Sequence, residues 1–192
     1  MRSNRDLPFL AIRSMVLLGM MAAAPQVSAQ RYSQEHVNAT ALIHLAGFIE
    51  WPRGVIPPPP APVTFCTLGE GGTAAELERS SHSQKVNLHD IAVRTMQGPE
   101  DVAGCHLIFL AAGAVKHQQR VIGAAKGLPV ALVSEIAGFA RKGGTVNFSN
   151  VNGRILLDVN QASAEAANLK INARILMMAT IVRSSGPEGG KE

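Results

Sequence analysis

The period of the hydrophobic positions changes several times along this chain, and each change marks an element. Between Ser33 and Glu50, Val37, Ala41, Leu42, Leu45, Phe48 and Ile49 recur at helical spacing. Ser33 or Asn38 can cap this helix. Trp51-Pro52 should end it, because the residue before a proline is pushed out of the helical region. Pro57 to Pro60, with Pro62, then reads as a stiff spacer. Val63-Thr-Phe-Cys-Thr-Leu68 is β-branched and aromatic, the pattern of a strand. Gly69-Glu-Gly-Gly72 follows, and Thr73 with Glu76 spells a capping box opening a helix to about Ser81. Val86 to Met96 reads as extended and Glu100 to Gly104 as a turn. Cys105 to Leu110 and Leu128 to Val133 are continuously apolar, as parallel strands buried on both faces are. Ala114 to Ala125 between them is helical, and Ser134 can cap the turn beginning at Glu135.

The next stretch carries its own test. If Asn152-Gly153 is a type I′ turn, Val151 faces Arg154, Phe148 faces Leu157, Val146 faces Val159, and Asn147 faces Asp158. Apolar meets apolar in that register without adjustment. Asn160 can cap a helix to about Asn168. Ile171 to Arg183 reads as a final helix with Ile171, Ile175, Leu176, Ala179 and Val182 on one side. Residues 184–192 read as a frayed tail. Strands alternating with helices, then a late hairpin, give the expected fold class: α/β, a single domain, with a mixed, mostly parallel sheet flanked by helices and a C-terminal β-hairpin.

The start of the chain belongs to a different category. Arg2, Arg5 and Arg13 precede or flank a short apolar run from Met15 to Ala24, and Val27 and Ala29 hold the positions of a small-residue cleavage site. That predicts a signal peptide, residues 1–29, cleaved after Ala29, and export to the periplasm. The segment would take three arginines and one aspartate with it. Lys+Arg then falls from 18 to 15 and Asp+Glu from 14 to 13, so the formal charge drops from +4 to +2. The remaining cations are scattered and aromatics are few, which argues against nucleic acid as a partner. In an exported chain the two cysteines, Cys66 and Cys105, favour a disulfide; the alternative is a pair of buried small side chains.

Candidate chemistry is sparse. The chain has no G-x-S-x-G, no Ser-x-x-Lys and no C-x-x-C, its six histidines are dispersed, and its carboxylates stand alone. No catalytic residue, metal ligand or cofactor is expected, and the chain reads as a non-enzyme; a hydrolase whose site assembles in space is a third reading. The Gly69–Gly72 and Gly143–Gly144 turns offer a second one, a small-ligand or anion sensor, since a glycine turn leading to a helix N-terminus can bind an anion.

Six segments in order carry a resemblance: G-F-I-E-W-P at Gly47–Pro52, F-C-T-L-G at Phe65–Gly69, G-C-H-L-I-F-L at Gly104–Leu110, G-F-A-R-K-G-G-T-V-N-F at Gly138–Phe148, G-R-I-L-L-D-V-N at Gly153–Asn160, and the final L-K-I-N-A-R-I-L. Over nearly all of residues 30–183 the chain resembles the YfiR family of exported regulatory proteins. The resemblance implies a periplasmic inhibitor that binds the periplasmic part of an inner-membrane sensor or diguanylate cyclase and lowers cyclic di-GMP. It also implies an outer-membrane lipoprotein as a sequestering partner, homodimerisation, and thiol oxidation acting on folding or stability. Cys66 and Cys105 fall where that family can carry a disulfide. A further cysteine pair near the hairpin is missing, Asn147 and Asn152 standing there instead. Contact energy concentrates in aromatic and arginine anchors, so the candidate partner-binding residues are Trp51, Phe139, Arg141 and Arg154, with Phe48 beside them.

Overall fold

The computed structural model describes residues 33–184. The expected leader, residues 1–29, and nearly all of the expected tail lie outside them. The central element is a sheet of eight strands flanked by helices on both faces. In chain order the strands are β2 (Val63–Leu68), β3 (Lys85–Val86), β4 (His89–Thr95), β5 (Leu107–Leu110), β6 (Ala131–Ser134), β7 (Val146–Val151), β8 (Arg154–Val159) and β10 (Thr180–Ile181). Across the sheet they run β10-β8-β7-β6-β5-β2-β4-β3. Strands β4, β2, β5, β6 and β7 are mutually parallel, while β3 is antiparallel to β4 and β8 to β7. A second sheet is a two-residue ribbon of β1 (Ile49–Glu50) and β9 (Lys170–Ile171). The fold class is the one the sequence predicts.

Alternation along the strands divides the core in two. Phe65, Leu107, Phe109, Val133 and Phe148 face one side. There they meet α1 (Gln34–Ala46), α2 (Gly72–Ser81), α4 (Gln161–Ala166) and α5 (Ala173–Met178) through Leu42, Leu77, Ala164 and Ile175. Cys66, Leu68, Ile108, Leu110 and Leu132 face the other, against α3 (Gln118–Ala124) and Phe139. Strands β5 and β6 are buried at every position, which is why all their side chains but Ser134 are apolar. Cys66 and Cys105 form a disulfide, with Cα atoms 5.7 Å apart.

The hairpin register is as expected, Val151 opposite Arg154 through Val146 opposite Val159. Asn152 and Gly153 both take positive φ, 53° and 79°, as the type I′ turn requires. Ser33 is the cap of α1, its hydroxyl accepting from the His36 N–H, and Asn160 caps α4 through the Ser163 N–H.

Four expectations fail, each for a tertiary reason. Helix α1 stops at Ala46, because Ile49–Glu50 pairs with Lys170–Ile171 and the Phe48 carbonyl accepts from the Asn172 N–H. The final helix covers only Ala173–Met178: Asn172 caps it, and Thr180–Ile181 leaves it to pair in parallel with β8. The extended run from Val86 breaks at Asn87 and Leu88, which turn β3 back onto β4. The Thr73–Glu76 capping box is absent. Gly71 holds the cap position without a side-chain bond, and both polar side chains are committed elsewhere.

The disulfide spans a separation of 39 residues. The chain-entropy relation gives about 4 kcal/mol for a loop of that length. The Cys66→Ala/Cys105→Ala double variant should therefore unfold at a clearly lower urea midpoint, with a stability loss of about 4 kcal/mol. The reduced wild type should melt close to the variant.

Candidate functional site

A parallel α/β sheet of this strand order offers one natural crevice. Between β2 and β5 the order reverses, and outside their carboxyl ends, where such folds receive ligands, the Gly69–Gly72 loop leads into α2. Here the protein's own side chains fill that place. Glu135, just past β6, accepts from the Ala112 N–H (3.2 Å) with one carboxylate oxygen and from the Thr73 hydroxyl (3.2 Å) with the other. Thr73 in turn accepts from the Asn38 amide (3.3 Å), whose oxygen accepts from Asn150 on the hairpin (3.4 Å). Glu35 lies so close over Gly72 that a Cβ there would sit 2.3 Å from its Cγ, hence the glycine. An anion would meet two carboxylates at this helix start.

Beside it, the buried Glu76 carboxylate bonds His36 Nδ1 (2.7 Å), the Ser80 hydroxyl (3.0 Å) and Arg79. The His36 bond, then the Ser80 bond, holds its carboxyl below the ordinary carboxylate range. The crevice is a hydrogen-bonded joint between α1, α2 and the hairpin. The second glycine turn is a joint as well. Gly143 ends a short 3-10 turn at φ 109°, and a Cβ on Gly144 would meet the Phe139 ring at 2.2 Å. The Gly143 and Gly144 N–H groups bond the Ala140 and Phe139 carbonyls, so that turn keeps no open amide cradle. At the Gly69–Gly72 turn two carboxylates oppose the anion that the anion-sensor reading requires.

At the opposite edge, His106 fixes the loop leaving α1. Its Nδ1 accepts from the Thr64 N–H (2.8 Å), so the ring is the neutral Nε2–H tautomer, donating to the Val55 carbonyl (3.2 Å). Its own carbonyl accepts from the Trp51 indole (3.1 Å). Burial is the main cause that pushes the His106 pKa down. On the other face, Arg94 bonds Asp101 (2.6 Å) and reaches the Cys105 sulfur (3.1 Å). Asp101 titrates below its usual range, mainly through the Gln97 N–H and then through Arg94.

The four candidate anchors are not brought together. Phe139 is fully buried in the core and has no surface to offer, which removes it as an anchor. Trp51 is partly buried, held at the amino-terminal edge of the parallel strands. Arg141 is exposed in the turn before the hairpin and Arg154 is exposed at its tip, at opposite ends of the hairpin strands. Phe48 packs on the core and lines a groove. What the sequence reading missed is an apolar edge. Five of the eight large exposed apolar side chains among the described residues, Val151, Leu156, Met177, Met178 and Ile181, lie on the hairpin and the segment after it. A groove of about 270 Å³ between α1, the hairpin and α5 opens beside them, walled by Phe48, Ile155, Leu157 and Met178. The signal was present in Met177-Met178, an apolar pair that a regular helix cannot bury on one side with Ile175.

A family comparison matches residues 35–180 to the DUF4154 domain, described as YfiR/HmsC-like. The chain belongs to the YfiR/HmsC-like family. That family is regulatory rather than catalytic, and membership supports a periplasmic regulator of cyclic di-GMP signalling as the general role. No match to a curated protein was found. Among the described residues no helix is long and apolar enough to cross a membrane, and no group of three His, Cys, Asp or Glu is placed to hold a metal ion.

The His106 clamp makes a signed prediction for this YfiR/HmsC-like chain. With its pKa depressed in the fold, the unfolded state takes up the proton first. The contribution is thus fully present above the unfolded value near 6.5 and is lost as pH falls from there through the folded value. His106→Ala should cost about 1–3 kcal/mol at pH 7.5 through the two lost bonds. Paired denaturation curves should show the gap between wild type and variant narrowing below about pH 6.5.

Proposed function

We propose that this YfiR/HmsC-like protein is an exported inhibitor that acts by contact. Its hairpin edge docks the periplasmic part of an inner-membrane signalling protein, a diguanylate cyclase, and holds cyclic di-GMP output down. The observation that carries the reading is the concentration of exposed apolar side chains on that edge, set against a crevice filled by the protein's own carboxylates. Strand β10 covers only Asp158 and Val159 of β8, so among the described residues no strand pairs with the outer edge from Arg154 to Leu157. Such an edge accepts a partner strand, and methionines beside it adapt to a partner's shape. An outer-membrane lipoprotein competing for the same edge would release the cyclase. A second copy on it would form a homodimer and withdraw the protein from inhibition. Arg154 at the hairpin tip is the cationic member of the docking surface, and Trp51 and Arg141 lie away from it.

Deleting the gene should raise cellular cyclic di-GMP, and unchanged levels would remove the cyclase as partner. The Leu156→Asp/Met177→Asp variant should reproduce the deletion. Both side chains are exposed, so its stability should stay within about 0.5 kcal/mol of wild type, while binding to the captured membrane protein should weaken by at least about 2 kcal/mol.

A further inference from the structure

One cavity is used by neither the filled crevice nor the hairpin edge. It has a volume of about 630 Å³ and lies against the β1–β9 ribbon, beneath the Trp51–Gly54 loop and the Asn87 turn. Part of its wall is apolar: Trp51, Pro52 and Ile56, each partly exposed, line it together with buried Ile49, Val63 and Val86. Its rim is charged, with Glu50, Arg53 and Lys170 all exposed. Glu50 and Lys170 stand opposite each other in the ribbon register, yet neither they nor Arg53 form an ion pair among the described residues. Three unpaired charges around one concavity leave an excess of one positive charge there. A concave, low-dielectric wall focuses that charge on whatever enters.

A partly apolar wall with a few charged groups, in a space of several hundred Å³, has the make-up of a small-molecule site.

We propose that this cavity binds a small organic monocarboxylate with an apolar body. Arg53 and Lys170 take the carboxylate, the apolar wall of Trp51, Pro52 and Ile56 takes the body, and Glu50 sets the preference against a second negative charge. The site does not depend on the cyclase reading, because it is defined by the protein alone.

Trp51 lines the cavity and is the chain's one tryptophan, so its fluorescence reports occupancy directly. The purified protein is titrated with hexanoate and phenylacetate, with hexanamide and phenylacetamide as uncharged counterparts, and with succinate as a dianion. The expected result is a saturable change with at least one monocarboxylate, and binding of its amide and of succinate weaker by roughly tenfold or more. Arg53→Ala and Lys170→Ala should each weaken the carboxylate by roughly tenfold, and Glu50→Gln should tighten it and admit succinate. All three positions are exposed, and unchanged melting temperatures verify that the variants fold. No saturable change with either carboxylate, equal binding of the amide, or indifference to both cation substitutions would overturn the proposal.

Discussion

A sheet buried on both faces can keep polar side chains only at the ends of its strands, and this constraint organises the molecule. Every position of β5 and β6 is buried, and beyond the Ser134 hydroxyl their side chains are apolar. Ser134 itself is satisfied at once, donating to the Leu110 carbonyl (2.8 Å) and accepting from the Ile136 N–H (3.0 Å). At the carboxyl ends the chain spends Glu135, Thr73 and Asn38 on one another. At the amino ends it spends His106 on Thr64 and Val55. Each unmade bond in such places would cost about 1–3 kcal/mol. The two clusters therefore join helices, loops and hairpin to the sheet, and the one at the carboxyl ends also fills the crevice where this topology could hold a ligand.

This explains how a doubly wound sheet comes to serve as a contact protein. The topology supplies the crevice, but function resides in the side chains placed there. Glu135 accepts from the Thr73 hydroxyl and Glu35 sits over Gly72, so two of the protein's own carboxylates stand near the start of α2. The disulfide, the Arg94–Asp101 pair and Phe139 stiffen the opposite face. What stays open is peripheral: the outer edge of β8, the exposed methionines of α5, and the cavity on the β1–β9 ribbon.

The parts of this legible in the sequence are those set by local rules. Asn152-Gly153 fixed the hairpin register because the turn type and the alternation agree. The apolar runs Cys105–Leu110 and Leu128–Val133 declared buried parallel strands, observed at Leu107–Leu110 and Ala131–Ser134, because burial on both faces demands apolar side chains. The failures share a cause. Phe48 to Glu50 have a helical period, and nothing in those residues records that Lys170–Ile171 will pair with them. Thr73 and Glu76 have capping-box spacing, but Asn38, Glu135, His36 and Ser80 offer them better partners from elsewhere in the fold. Phe139 in a glycine-rich turn looks exposed until Gly144, with no side chain, lets its ring pack inward. For Glu135 a signal existed: a lone acid directly after a buried strand, at the end where the strand order reverses.

The β1–β9 ribbon then takes on more weight than its size suggests. It contains two residues per strand, too few to be stable alone. Yet it ties the end of α1, which carries Phe48, to the start of α5, which carries Met177 and Met178. The walls of the apolar groove beside the hairpin are therefore positioned by one of the thinnest pieces of the sheet structure, while the core behind them is tied by a disulfide and two buried layers. Elements with few paired backbone groups open at a lower free energy than the strands of a core. Lys170 and Glu50, at the rim of the cavity, are the same residues that form the ribbon. Whatever stabilises the ribbon from the cavity side also steadies α5, so the two open features of the protein meet in a single pair of strands.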